Sequence, residues 1–233
     1  MRLRHCVVAA TLVVFAVSGC APEAPDYQSI WSTSSSAAAT TTSTSNEEPV
    51  PIATYLERKG VTGEPIPADK VTDLAVTFPT PPGWKPFVNS NLSPGTRVIA
   101  KGNTYPTAWV VVFKLNGDFD VNEAIQHGYV DAELSQNFKR LNASTDNFKG
   151  FPSSMIEGSY DLNGARMHSY NRIVIATGAP QTPNVAGQAA PPNQRYLIQF
   201  TVTGFADKAV EEAPDIEAII KGFNVALPKV PPK

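Results

Sequence analysis

Two groups of residues in this sequence have the types and spacing that chemistry requires. The first is Val17-Ser18-Gly19-Cys20. Small side chains let a peptidase reach the bond before Cys20, and a thiol is the group that accepts a diacylglyceryl thioether. The second is Glu157, Ser159, Asp161, Arg166, His168, Tyr170 and Arg172, a short stretch that holds a hydroxyl, an imidazole and two carboxylates. Serine, histidine and an acid are the parts of an activated nucleophile, if a fold brings them together.

The residues before Cys20 support the first group. Arg2 and Arg4 form a cationic start, and Cys6 to Val17 is an uncharged apolar run, short for a membrane span and typical of an export signal. Residues 1–19 therefore read as a signal peptide, with lipid attached to Cys20. Cys6 leaves with the signal, so the mature chain has no thiol left for a disulfide and must fold by core packing alone. Without Arg2 and Arg4 there are 17 Lys and Arg against 21 Asp and Glu, a formal charge of −4. Mild acidity of this kind gives no electrostatic reason to expect a nucleic-acid partner.

Residues 20–50 read as a tether. From Ser32 to Ser45 every side chain is Ser, Thr or Ala, too little apolar surface to offset the ordering of a chain. Thirty such residues reach about 100 Å when stretched and about 30 Å as a coil. Such a stalk also suits O-glycans. The chain is thus expected on the extracytoplasmic side of a membrane, held there by lipid.

Residues 51–233 have the length of one domain, expected to be monomeric. Ile52 to Lys59 predicts a helix closed by Gly60. Leu74 to Phe78, Thr96 to Lys101 and Thr107 to Leu115 predict strands, the last of them central because Trp109 to Phe113 is apolar on both faces. Asp120 to Leu134 predicts a single helix, with Asp120 as N-cap and Glu123 completing a capping box. Asn163-Gly164 is the preferred two-residue hairpin turn. It sets Leu162 opposite Ala165, Tyr160 opposite Met167, Asp161 opposite Arg166, Ser159 opposite His168 and Glu157 opposite Tyr170. One face of the hairpin is then apolar and the other polar. A Pro/Gly-rich loop is expected from Gly178 to about Asn193, and a strand over Tyr196 to Thr203. Asp207 to Gly222 predicts a helix broken at Pro214, followed by a short strand, Phe223 to Ala226, that closes the sheet. These elements predict an α+β domain with a central antiparallel sheet covered by helices.

That register returns to the second group. Ser159, His168 and an acid share the polar face, but Ser159 lies mid-strand without the strained elbow of a hydrolase, so a Ser/His hydrolase is the least favoured reading. The same side chains form one mixed-charge patch, and Glu157, Asp161, Arg166, His168, Tyr170 and Arg172 are the candidate binding face. His127 and Asp131 share a helix turn without a third ligand. No metal-ligand spacing, phosphate loop or dinucleotide fingerprint is present, so neither a metal nor a cofactor is expected.

Several blocks carry a family resemblance: the Cys20 motif and Ser/Thr stalk, Tyr55-Leu56-Glu57-Arg58-Lys59-Gly60-Val61-Thr62-Gly63-Glu64-Pro65, Pro81-Pro82-Gly83-Trp84, Ile99-Ala100-Lys101-Gly102, Tyr105-Pro106-Thr107-Ala108, Gly150-Phe151-Pro152-Ser153-Ser154-Met155-Ile156, and Asp215 to Gly222. Together they resemble the mycobacterial LpqN/LpqT lipoproteins over nearly the whole chain, with Thr182 to Pro191 as an insertion. The resemblance implies an actinobacterial cell envelope and a PsbP-like α/β/α fold, and it supplies no catalytic residue. It points to a non-enzymatic binding or assembly module, facing a protein, an envelope lipid or a glycan, and open to host factors. The alternative is a carrier that shields an envelope lipid in an apolar cavity.

Overall fold

The computed structural model describes residues 49–88, 91–180 and 193–228; Cys20, the stalk and the tip of the Pro/Gly-rich loop lie outside them. The elements run in the order α1 (Ile52–Arg58), β1 (Thr62–Ile66), β2 (Ala75–Thr77), β3 (Lys85–Pro86), β4 (Arg97–Ala100), β5 (Thr107–Asn116), α2 (Val121–Gln126), α3 (Val130–Glu133), β6 (Lys139–Ser144), β7 (Ser153–Leu162), β8 (Ala165–Thr177), β9 (Arg195–Phe205), α4 (Ala209–Gly222) and β10 (Asn224–Ala226). The main antiparallel sheet has the order β3-β4-β5-β9-β8-β7-β6, and β1 also pairs with β5.

Alternation along β5 builds both cores at once. Ala108, Val110 and Val112 join one apolar cluster with Phe200, Phe223 and Ile219 of α4, while Trp109, Val111, Phe113 and Leu115 join another with Ile52 and Leu56 of α1 and Ile125 of α2. A strand buried on both faces needs this continuous apolar run. Helices therefore cover both faces, and the α+β architecture expected from the sequence is observed.

The hairpin of β7 and β8 has the predicted register at every pair named above. Asn163 and Gly164 have φ of 50° and 78°, the left-handed turn that this dipeptide adopts at low cost.

Three expectations are corrected. The helix predicted over Asp120 to Leu134 stops after Gln126 and resumes at Val130. There Gly128 packs so closely on Ser154 that a Cβ would lie 2.7 Å from its side chain, and the His127 ring stacks on Tyr55 while Nδ1 lies 2.9 Å from the Val50 carbonyl oxygen. Tertiary contacts thus turn the chain. Asp120 does cap α2, accepting from the amides of Asn122 and Glu123, but the Glu123 carboxylate pairs with Lys59. Next, α4 runs through Pro214 without a break. The proline is exposed, and Ile216, Ile219 and Ile220 hold the helix to the core around the hydrogen bond it lacks. Finally, Asn224–Ala226 does not close the main sheet but pairs with β2 in a separate two-stranded sheet.

Candidate functional site

The six residues of the candidate face all point to the α4 side of β7 and β8, as their register requires. At the hairpin tip they are locked to one another. Arg166 donates from Nη1 to the Asn137 carbonyl oxygen (2.9 Å) and to Asp161 Oδ1 (2.9 Å), and from Nη2 to the Ser159 carbonyl oxygen (2.9 Å) and to Ser159 Oγ (2.7 Å). Asp161 also accepts from Asn137 Nδ2 at 2.7 Å. These donors, Asn137 first and Arg166 second, hold the Asp161 carboxyl below the usual carboxylate range.

One turn of the pleat further along, His168 Nε2 lies 3.0 Å from Glu157 Oε1. The imidazole therefore faces an acid, and the serine opposite it accepts from a guanidinium. The predicted Ser/His/acid set is brought together, but as two separate pairs rather than a relay from serine to histidine.

At the base of the hairpin, Arg172 Nε donates to Tyr170 Oη (2.7 Å) and Nη1 to Ser153 Oγ (2.9 Å). Its guanidinium stands 4.6 Å from the Phe148 ring centroid. Phe148 stacks on Phe223, which stacks on Phe200 at 4.1 Å, so the aromatic core continues up to this cation. Tyr170 and Arg172 are both half-buried. The polar face is thus partly a lid on the core, which the sequence did not predict.

On one flank of the face stands α4. Glu212 Oε2 would touch a Cβ on Gly204 at 2.8 Å and is buried without a hydrogen-bond partner. Burial, then the neighbouring Glu211, pushes the Glu212 carboxyl up. One turn later, Asp215 accepts from Lys101 Nζ (2.7 Å) and Trp84 Nε1 (3.1 Å), which hold it low.

Sequence reasoning missed a second feature, on the opposite face of the same sheet. Thr107, Thr203 and Ser169 form one cross-strand row, and Thr201 and Asn171 lie in the next. With Gln199 and Ser154 they make a band of neutral polar side chains, nearly all fully buried. Thr201 Oγ1 donates to Asn171 Oδ1 (2.8 Å), whereas Thr107 Oγ1 and Ser154 Oγ have no partner. The pattern Thr-x-Thr in β9 and Ser-x-Asn in β8 was the available signal. It was hidden because polar positions in a strand read first as solvent-facing.

Two open grooves flank the sheet, one away from the face and one beside its tip. One of about 640 Å³ runs between Ala68, Val71, Leu74 and Val76 on one side and Gly95 to Arg97 on the other, and is mostly apolar. The other, of about 500 Å³, adjoins the hairpin tip between Arg166, Phe205 and Lys208. Among the described residues no group of three acidic, histidine or cysteine side chains is placed to hold a metal. No described helix is long and apolar enough to cross a membrane.

An α/β/α domain behind a lipid-attachment motif and a Ser/Thr stalk defines an anchored envelope lipoprotein. Its lineage is plain: residues 48–226 match the family described as "Probable lipoprotein LpqN", and the chain belongs to that family. It is 55% identical to the "Putative lipoprotein LpqT" of Mycobacterium tuberculosis H37Rv over 220 residues, covering 94% of this chain and 92% of that one. The Mycobacterium leprae protein of the same name is 50% identical over 97% of both chains. The "Proline-rich 28 kDa antigen" of M. tuberculosis H37Rv is 36% identical over 76% of this chain, which spans about half of that protein (54%). The crystal structure of LpqN from M. tuberculosis superposes with a TM-score of 0.61 at 18% identity, covering 78% of this chain and all of that one, and so shares the fold.

Proposed function

We propose that this chain is a non-enzymatic binding or assembly module of the cell envelope, tethered by lipid at Cys20, which meets its partner on the α4-side face of β6, β7 and β8. The observation that carries this reading is the state of the face itself. Its charged side chains are half-exposed, yet their hydrogen bonds already hold them in one arrangement, so binding costs little side-chain entropy. Tyrosine and arginine at its base are the residue types that dominate interface energetics. The split of Ser159 and His168 into separate pairs supports a role outside catalysis, as do the relatives, whose names describe lipoproteins and an antigen. The LpqN structure is described as involved in cell envelope biogenesis, which fits an assembly role. The partner is a protein, an envelope lipid or a glycan.

A photo-reactive residue in place of Asn142 or His168, in the lipidated chain within its own envelope, tests this. Adducts are expected from these positions and not from Glu57, which is exposed on α1. Adducts from Glu57 alone would overturn the proposed face.

A second reading, a carrier of an envelope lipid, draws on the buried polar band. A hydroxyl left unpartnered in a protein interior is costly, and a ligand's polar group reaching Thr107 or Ser154 would satisfy it. Native mass spectrometry of the full chain separates the readings. A stoichiometric extra lipid mass, beyond that on Cys20, favours the carrier; its absence favours the docking module.

A further inference from the structure

The three cations of the face differ in one respect. Arg166 has Asp161 and His168 has Glu157, each at about 3 Å, but Arg172 forms no ion pair among the described residues. Its hydrogen bonds go to neutral oxygens, Tyr170 Oη and Ser153 Oγ. Ser153 is fully buried and donates its own hydroxyl hydrogen bond to the Asp146 carbonyl oxygen at 2.6 Å, so towards Arg172 it is a fixed acceptor. The guanidinium is further held against the rings of Phe148 and Tyr170, with centroids 4.6 and 5.7 Å away. Two of its five N–H donors are taken in this way. Lys149 adds a second cation, with Nζ 5.9 Å from the Phe148 centroid and likewise without an ion pair among the described residues. Glu157, diagonal to Arg172 across the strands, is engaged by His168.

A half-buried guanidinium held by neutral acceptors and rings keeps its charge available to an anion from outside the chain. We infer that Arg172, Tyr170 and Lys149 form a receptor for a phosphate-type oxyanion. The remaining edge of the guanidinium fork donates to two of its oxygens, the Tyr170 hydroxyl donates to one, and Lys149 adds charge from the loop. Arginine held planar by rings and neutral acceptors is preorganised for this geometry, which a lone surface lysine is not. The oxyanion belongs either to a soluble phosphoester or to an anionic lipid headgroup of the membrane that the tether faces. This inference rests on the reading of the β7–β8 face as the docking surface and names the chemistry at its base.

The test uses the full lipidated chain in nanodiscs, read by hydrogen exchange over residues 146–155 and 170–172. Inorganic phosphate is titrated over phosphatidylcholine discs in one arm, and phosphatidylglycerol is added to the discs in the other. Protection by free phosphate assigns a soluble phosphoester, and protection only in the phosphatidylglycerol discs assigns a headgroup. In either case Arg172→Gln should weaken the effect about tenfold or more, the range of hydrogen bonds to a charged group. Lys149→Ala, on an exposed loop, should weaken it about two- to fivefold and more so at low salt. Should Arg172→Gln fail to fold, Lys149→Ala decides. No protection in either arm, or protection that both variants leave unchanged, overturns the site. If it fails while photo-adducts from His168 persist, the docking face stands and only its anion chemistry falls.

Discussion

The two ends of the β7–β8 hairpin use arginine in opposite ways. At the tip, Arg166 is closed in by Asp161, Ser159 and the Asn137 carbonyl, all parts of the same chain. At the base, Arg172 is held by neutral oxygens and aromatic rings instead. A cation with its anion in place holds a turn together. A cation held in position without one presents its charge outward. Residue type alone does not distinguish an arginine with a carboxylate partner from one without; the neighbours do.

The largest expected effect tests whether the base really stands on the core. Phe223→Ala removes the ring stacked between Phe148 and Phe200 and should cost about 3–5 kcal/mol in urea unfolding. A loss below about 1 kcal/mol would mean the aromatic stack is not packed as described. A smaller loss is expected on the other face of the hairpin. A Cβ at Gly158 would lie 2.3 Å from Phe138 Cζ and 2.8 Å from the Lys139 carbonyl oxygen, so Gly158→Ala should cost about 1–3 kcal/mol. Full stability in that variant would show that Phe138 is free to leave.

The contrast between the arginines is itself measurable. Arg166→Ala leaves Asp161 and Ser159 without their shared donor and should lower the melting temperature measurably. Arg172→Gln should cost less, because it also relieves an uncompensated charge. The reverse order would erase the distinction drawn here.

The smallest effect is the pH dependence of the tip. Asp161 titrates lower in the folded chain than in the unfolded one, so its contribution is present above the unfolded carboxylate range near 4 and is lost as pH falls through the lower, folded value. Arg166→Ala should flatten that part of the acid limb. An unchanged acid limb would mean that Arg166 does not set the Asp161 charge.

Much of this structure was legible because local rules and tertiary contacts agreed. Asn163-Gly164 set every pair of the hairpin, and with it the placement of all six face residues, because a two-residue turn leaves no freedom of register. The apolar run of β5 announced a central strand. The helix from Asp120 to Leu134 was misread where its pattern depended on partners distant in sequence: Ser154 against Gly128, and Val50 and Tyr55 at His127. Thr62–Ile66 and Lys139–Ser144 escaped notice as strands because Gly63 and Pro65 in one, and the charged start of the other, have poor strand propensity. Nor did the sequence tell Arg166 from Arg172, since Asn137 beside one and Phe148 beside the other come from loops outside the hairpin.

The most direct test of the docking face is hydroxyl-radical footprinting of the lipidated chain, compared between its native envelope and the detergent-extracted protein. Labelling of His168 and Tyr170 should fall severalfold in the envelope, while Tyr129, beside α3 on the opposite side of the sheet, should label equally in both. Equal labelling of His168 and Tyr170 in the two states, with protection confined to Tyr129, would contradict the account and move the partner to the other face.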